Sequence, residues 1–132
     1  MNTVSENGKS TVLSRMENTI NAHDIEAFVD CFAQDFVGEQ PVHPERVVTG
    51  SENVRQNWTA LFANVPDLRA KLLATAVGGD TVWAEWQWQG RQTSGNDLDM
   101  RGVTLLGVRE GKINWARLYM EPVQHALANP AG

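Results

Sequence analysis

The chain has 132 residues, 42% of them hydrophobic and 20% charged, which predicts one folded domain with a single core. The formal net charge of −5 and the absence of any run of Lys or Arg argue against nucleic acid as a partner. No window approaches the roughly 20 apolar residues of a membrane span, and residues 1–9 lack the apolar stretch of a signal peptide. We therefore expect a cytoplasmic protein without a membrane partner.

Side chains that bind metals or react as nucleophiles are few in this sequence. Cys31 is the only cysteine, so no intrachain disulfide can form, and its place in an apolar helical pattern predicts a buried, unreactive thiol. His23, His43 and His125 are widely spaced, with no HxH pair and no two histidines four residues apart. There is also no glycine-rich phosphate loop. We expect neither a metal ion nor an organic cofactor.

Two helices are predicted in the first third of the chain, after a polar segment, residues 1–9, that we interpret as a flexible tail. Ser10 fits the N-cap of the first helix, in which apolar residues recur every three or four positions. After a break at the sequence NAHD, Asp24 can start a short second helix whose apolar side extends to Phe32. Residues 35–40 follow as a short strand, and two prolines then favour an irregular loop.

A third helix and a run of strands complete the predicted domain. Thr49 and Glu52 have the spacing of a capping box, so the helix is expected to begin at Thr49 and to end at Pro66. Gly-Gly-Asp and Glu-Gly turns separate alternating segments farther along, which predicts an antiparallel meander. Its four strands are residues 68–78, 81–90, 98–109 and 112–121. We expect one domain over residues 10–122 and a C-terminal tail over residues 123–132.

The clearest strand is TVWAEWQWQG, residues 81–90. Because successive side chains of a strand point to opposite faces, Trp86 and Trp88 share an apolar face, and Trp83 and Glu85 share a mixed one. The same alternation in the neighbouring strands predicts a curved sheet with one apolar side that helices cover. The predicted fold class is therefore α+β, with three N-terminal helices packed on a curved, mainly antiparallel sheet in the shape of a cone.

The open end of such a cone can hold a pocket for a small hydrophobic molecule. Large side chains on the apolar side of the predicted elements are available to line it, and the same side chains would also suit a filled core. The predicted pocket residues are Phe28, Phe32, Gln40, Trp58, Phe62, Trp86, Trp88, Met100, Leu118 and Met120. The sequence leaves both alternatives open.

Aromatic and charged residues share the opposite face of the predicted sheet, which indicates a homodimer interface. Tryptophan and arginine are enriched where protein surfaces associate. The residues of this predicted dimer face are Trp83, Glu85, Arg101, Trp115 and Arg117. A β-bulge near Gly90 or Gly102 would reverse the alternation and turn outer residues toward the pocket.

Four stretches of the chain carry a resemblance to a known family. They are NAHD at the helical corner, CFAQDF at the end of the apolar second helix, TGSENV at the start of the third, and LDMRGVTLLGVREGKINWARLYMEP at the end. In this order and spacing, residues 10–122 resemble the SnoaL-like branch of the nuclear transport factor 2-like superfamily, which has a cystatin-like cone fold. The resemblance implies the fold more than the reaction, because the superfamily includes polyketide cyclases, ketosteroid isomerases, limonene epoxide hydrolases, dehydratases and non-catalytic binding modules.

The resemblance disfavours epoxide hydrolysis. Where that branch places an aspartate on the last strand, this chain has Leu118, and its Arg-x-Asp pair falls on Trp86 and Trp88. Its tyrosine falls on Gly38, and only Gln40 keeps a polar side chain where the family positions water. A hydrolase needs a base for the water and an acid for the epoxide oxygen, and these substitutions remove both.

Proton transfer of the cyclase or isomerase type requires a base beside the substrate and a hydrogen-bond donor for the developing enolate. His43 is a candidate base that would either overhang the pocket mouth or stay in solvent. Gln40 is a candidate donor, and Tyr119 is a third candidate that the alternation places on the outer face. We expect a protein that binds a small hydrophobic or aromatic molecule, either as a cofactor-independent cyclase or isomerase or as a non-catalytic dimeric binding module without the family's acids.

Overall fold

The computed structural model describes residues 2–124, in which helices both precede and interrupt the strands. The helices are α1 (Asn2–Ala22), α2 (Ile25–Val29) and α3 (Ser51–Asn64). The strands are β1 (Phe32–Glu39), β2 (Val48–Thr49), β3 (Arg69–Gly78), β4 (Thr81–Arg91), β5 (Asp97–Arg109) and β6 (Lys112–Pro122). The architecture is α+β, with three helices and a six-stranded mixed sheet in the described part. Most of the predicted C-terminal tail, including His125, lies outside it.

The strands form one sheet in the order β2-β1-β6-β5-β4-β3. From β3 to β6 each strand pairs antiparallel with the next, which confirms the predicted meander. The exception to antiparallel pairing is β1, which lies parallel to β6, and this pair makes the sheet mixed. The first strand of the chain therefore lies beside the last. Helix α3 contacts β1 and β2 at this end of the sheet, and α1 contacts β3 at the other end.

Side-chain alternation along β4 decides which face of the sheet is the core. Trp86 is completely buried and Trp88 is 8% exposed, whereas Trp83, on the other face, is 49% exposed. Helix α1 covers the inner face with apolar residues at three- and four-residue spacing. The buried residues of this helix are Val12, Leu13, Met16 and Ile20. Each large aromatic buried between these layers contributes roughly 1.5–3 kcal/mol.

Three register shifts interrupt the sheet, and none of them lies in the ladder between β4 and β5. One falls between Phe32 and Val37 in the β1–β6 pair, and Leu73 in β3 and Asn114 in β6 are the unpaired residues at the other two. From Ala74 to Gly78 every residue of β3 is exposed, so the alternation of buried and exposed side chains does not extend to this end of the strand. The register between β4 and β5 runs without interruption through Gly90 and Gly102. Residues predicted on the outer face near these glycines therefore stay there.

The corner between α1 and α2 attaches the first helix to the free edge of β3. Asn21 makes two hydrogen bonds with the backbone of Ala70. Its side-chain nitrogen donates to the Ala70 carbonyl at 3.0 Å, and its side-chain oxygen accepts from the Ala70 N–H at 2.7 Å. His23 Nε2 donates to the Leu68 carbonyl at 2.9 Å, and its ring stacks on Phe62 at 4.6 Å. An unpaired strand edge is a template for aggregation, and these side chains occupy it.

The observed ends of the helices agree only in part with those predicted from the sequence. Asp24 caps α2 as predicted, accepting a hydrogen bond from the Ala27 backbone nitrogen at 3.1 Å. Phe32 does not continue that helix: it begins β1, paired with Ile113. Helix α1 begins at Asn2 rather than after Ser10, because residues 2–9 contain no proline to stop the helical backbone. Their flexibility stays a prediction.

The predicted capping box of α3 is wrong. The N-cap position is Gly50, with φ of 82°, and no side chain caps the helix. Thr49 cannot serve because it is the last residue of β2 and pairs with Val37, which fixes its backbone in the sheet. Glu52 instead accepts a hydrogen bond from Arg55 at 3.2 Å.

Cys31, the residue before β1, is fully buried, and burial raises the pKa of its thiol. A neutral thiol is a poor nucleophile, which is consistent with the predicted inert cysteine. No helix within residues 2–124 combines the length and the apolar character needed to cross a bilayer.

A hydrogen bond joins the two inner strands in the core. Trp86 Nε1 donates to Thr104 Oγ1 at 3.0 Å, and Thr104, at 3% exposed, is the buried polar residue of the described core. Burying an indole costs free energy unless its N–H finds an acceptor, so this threonine makes the central tryptophan compatible with the core.

We predict that Thr104→Val, which keeps the side-chain shape, lowers the free energy of unfolding by about 1–3 kcal/mol, because the Trp86 N–H is left unpaired. Thr104→Ser keeps the acceptor and should cost about 0.8 kcal/mol for the lost methyl group. Urea denaturation measures both values. In a double-mutant cycle, the cost of Thr104→Val should fall when Trp86 is replaced by Phe, and an unchanged cost would contradict this account.

Candidate functional site

A cavity of about 90 Å³ lies between α2, α3 and the inner face of the sheet. Five aromatic rings, each in contact with the next, form part of its wall. Phe28 packs on Trp58 with ring centroids 4.4 Å apart, and Trp58 packs edge-on against Trp88 at 5.5 Å. On the other side, Phe32 contacts Phe28 at 5.1 Å and Phe36 at 5.0 Å. The rings form one continuous apolar surface.

The structure brings six of the ten predicted pocket residues to this wall. They are Phe28, Phe32, Gln40, Trp58, Trp88 and Leu118. They come from five different elements and the segment after β1, so it is the packing of α2 and α3 over β1, β4 and β6 that assembles them.

Four predicted pocket residues lie away from the cavity wall. Trp86 fills the core beneath it, where its indole bonds Thr104, and Met120 is buried farther along β6. Phe62 lies at the helical corner, where it stacks on His23. Met100 is opposite Trp88 in the ladder but does not line the cavity. The same alternation holds for core and pocket residues, so it could not separate them.

Ten further residues line the cavity that the sequence did not single out for it. They are Met16, Phe36, Gly38, Glu39, Arg46, Val48, Val54, Asn57, Thr104 and Ala116. The alternation contained a signal for Thr104 and Ala116, which occupy inward positions of β5 and β6. No local pattern pointed to Arg46, which reaches the cavity because the loop after β1 folds back over its mouth.

Polar side chains surround the mouth of the cavity. Arg46 Nη1 donates to Gln40 Oε1 at 3.3 Å, which connects the two ends of the loop. The exposed carboxylate of Glu39 lies 3.9 Å from Arg117 Nε, on the outer side of the sheet. Asn57 of α3 completes this rim. The site therefore has an aromatic interior and a polar entrance.

His43 does not line the cavity. Its Nε2 lies 3.0 Å from Glu121 Oε2, so the carboxylate at the end of β6 holds the ring beside the sheet rather than over the mouth. Tyr119 is 39% exposed on the outer face, because the β5–β6 ladder keeps its register up to Pro122. Among the predicted catalytic candidates, Gln40 is the one that the structure places at the cavity.

The five residues of the predicted dimer face share the outer surface of the sheet. Arg101 lies 3.8 Å from Glu85, and Arg117 stacks over the Trp115 ring at 5.5 Å. The Trp115 indole packs where a side chain at Gly107 would be, so only part of this ring is exposed. Exposed ion pairs of this kind contribute little stability, about 0–1 kcal/mol each.

Within residues 2–124, no group of three or more His, Cys, Asp or Glu side chains is close enough to hold a metal ion. The prediction that the protein uses no metal or organic cofactor stays a prediction.

Solved structures share this fold at low sequence identity. A proposed isomerase from Bacillus subtilis is 19% identical, with a TM-score of 0.78 over 88% of each chain. A proposed SnoaL-like polyketide cyclase from Jannaschia Sp. CCS1 is 21% identical, with a TM-score of 0.75 over 87% of this chain and 86% of the other. A Mycobacterium tuberculosis protein, solved in complex with estradiol-17beta-hemisuccinate, is 20% identical, with a TM-score of 0.73 over 85% of this chain and 92% of the other.

No curated protein matches the chain by sequence. A family model does match, and it describes a SnoaL-like domain over residues 13–115, most of the chain. The match confirms the resemblance that the four stretches of sequence indicated. The chain belongs to the SnoaL-like domain family.

Proposed function

We propose that this protein binds a small, mainly apolar molecule with an aromatic ring in the cavity beneath α3. The observation that carries the proposal is the continuous aromatic wall from Phe36 through Phe28 and Trp58 to Trp88. Binding sites for small molecules are typically concave and apolar with a few polar groups, and this site has that composition. When an aromatic ligand enters an aromatic pocket, edge-to-face packing of the rings contributes binding free energy beyond that of burying apolar surface.

The size of the cavity limits the ligand. At about 90 Å³ it is well below the roughly 300–1,000 Å³ of sites for drug-sized molecules. A ligand of about one ring suits the volume. The Mycobacterium tuberculosis protein of the same fold, solved in complex with a steroid ester, supports small-molecule binding by this fold, although that compound is larger than this cavity accepts unchanged.

The residues of the wall favour binding without chemistry over proton transfer. A cyclase or isomerase needs a base that reaches the ligand. The ionisable side chains that line the cavity, Glu39 and Arg46, are exposed at its mouth, and the Glu39 carboxylate is directed to Arg117. The second candidate, a cofactor-independent cyclase or isomerase, is favoured by the family and by Gln40 at the mouth. A cytoplasmic location accords with either function.

Filling the cavity should abolish binding. We predict that Leu118→Trp removes the binding of α-methylstyrene, a one-ring hydrocarbon, because the larger side chain occupies the space of the ligand. Tyr119→Trp is the matched control, since its neighbouring position points to the opposite face and should leave the dissociation constant within about twofold of the original. Heteronuclear NMR titration measures both. Equal binding by the two variants would place the ligand elsewhere.

If the cavity contains no base, the protein should not catalyse proton abstraction from a bound ketone. We predict that the protein exchanges the methyl hydrogens of acetophenone with D₂O no faster than the Leu118→Trp variant does at the same concentration, followed by proton NMR. Exchange that is clearly faster with the original protein would support the cyclase or isomerase alternative and overturn the binding-only proposal.

We also propose a homodimer through the outer sheet face. Trp83 and Tyr119 expose aromatic surface there, and the same face carries both signs of charge in Glu85 and Arg101. A two-fold interface brings a patch against its own copy, so a patch with both signs of charge can be self-complementary. Arg117, stacked on Trp115, adds a planar cationic group of the kind that is enriched in interfaces.

We predict that the protein sediments as a dimer at micromolar concentration and that Trp83→Glu weakens the dimer by about 2 kcal/mol or more, because a charge replaces a central aromatic contact. Gln56→Glu adds the same charge on the exposed side of α3 and should leave the dimer intact. Analytical ultracentrifugation distinguishes these states. A monomeric original protein would overturn the proposal.

A further inference from the structure

The indole N–H of Trp88 lacks a hydrogen-bond partner. Trp88 is 8% exposed, its Nε1 atom is buried, and no described residue accepts a hydrogen bond from it. Tryptophan nitrogens usually find an acceptor when they are buried, because an unpaired buried donor loses its water without compensation. This donor belongs to a residue on the cavity wall.

The surroundings of Trp88 explain why the protein itself supplies no acceptor. Its partners on the adjacent strands are Ala70 and Met100, and Trp58 packs against its ring edge-on. Among the polar side chains nearer the mouth, Gln40 is directed to Arg46, from which its Oε1 accepts. The contrast with Trp86, whose N–H has Thr104, shows that the fold can provide an acceptor for an inner tryptophan.

Thr104 gives the cavity a second donor. Its oxygen accepts from Trp86, and its own hydroxyl hydrogen has no acceptor among the described residues. Thr104 is 3% exposed and lines the cavity as well. The Trp88 indole can only donate and Thr104 still has its hydroxyl hydrogen to donate, which favours a ligand that carries an acceptor.

We propose that the ligand of this cavity carries a neutral acceptor oxygen, such as that of a ketone, an ester or a quinone, and that the Trp88 indole N–H donates to it. The inference rests on the proposed binding function and adds to it the polarity of the ligand and the residue that recognises it. The aromatic wall holds the apolar part of the ligand, and Trp88 selects among ligands of the same shape by whether they bear the oxygen.

Two probes of nearly identical shape test this inference. Acetophenone has a carbonyl oxygen where α-methylstyrene has a methylene group, so only the first can accept the hydrogen bond. The dissociation constants of both are measured by calorimetry for the original protein and for Trp88→Phe, which removes the N–H and keeps a ring. Trp83→Phe, on the exposed outer face, is the matched control. Differences in the hydration of the two probes cancel when each variant is compared with the original protein.

We expect Trp88→Phe to weaken acetophenone binding about tenfold and α-methylstyrene binding by less than about twofold, since one hydrogen bond is lost for the ketone alone. Trp83→Phe should change neither. Equal losses for the two probes, or no loss for either, would overturn the role of Trp88 while leaving the binding proposal intact. If the original protein bound neither probe, the binding function itself would fail, and this inference with it.

A second measurement needs no variant. In the NMR spectrum of the original protein, the Trp88 Nε1–H resonance should move downfield with acetophenone by clearly more than with α-methylstyrene, because only the ketone forms the hydrogen bond. Equal displacement by both probes would overturn the assignment.

Discussion

The unbroken pairing of β4 with β5 is the constraint on which the rest of the structure depends. Over residues 81–91 every position has a partner, so the two-residue alternation of side chains is preserved from one end of the strand to the other. Trp86 and Trp88 face the helices, and Trp83 faces outward. One extra residue in this ladder would exchange the two faces and remove the aromatic wall from the cavity.

The irregularities of the fold lie where they do not disturb this pairing. Leu73 and Asn114 bulge from the outer strand and from the last strand, where they bend the sheet around the helices. The free edge of β3 is occupied by α1, through Asn21 and through Glu17, whose carboxylate accepts from the Leu72 backbone at 2.7 Å. Curvature and edge protection together let three helices cover a sheet that is apolar on one side only.

The two faces of the sheet have opposite chemistry. Outside, charged residues pair with one another in solvent, as Arg101 does with Glu85. Inside, the buried polar groups of Trp88 and Thr104 are neutral, and both residues belong to the mainly apolar wall of the cavity. A fold that serves cyclases, isomerases and binding modules can keep its cavity while losing the charged groups needed for proton transfer. The site that we propose for this chain would recognise a ligand by its shape and by a hydrogen bond from Trp88.

Local chemistry determined much of this protein from the sequence alone. Alternation identified the four meander strands and the faces of β4, Asp24 supplied a cap, and the spacing of four short stretches indicated the family. Tertiary structure decided the rest, because it depends on which distant residues meet. His43 is held by Glu121, 78 positions away, and Thr49 is committed to β2 rather than to capping α3. Trp86 and Trp88 both point to the inner face of the sheet, yet Trp86 fills the core and Trp88 lines the cavity. The difference is that Trp58 of α3 packs against Trp88.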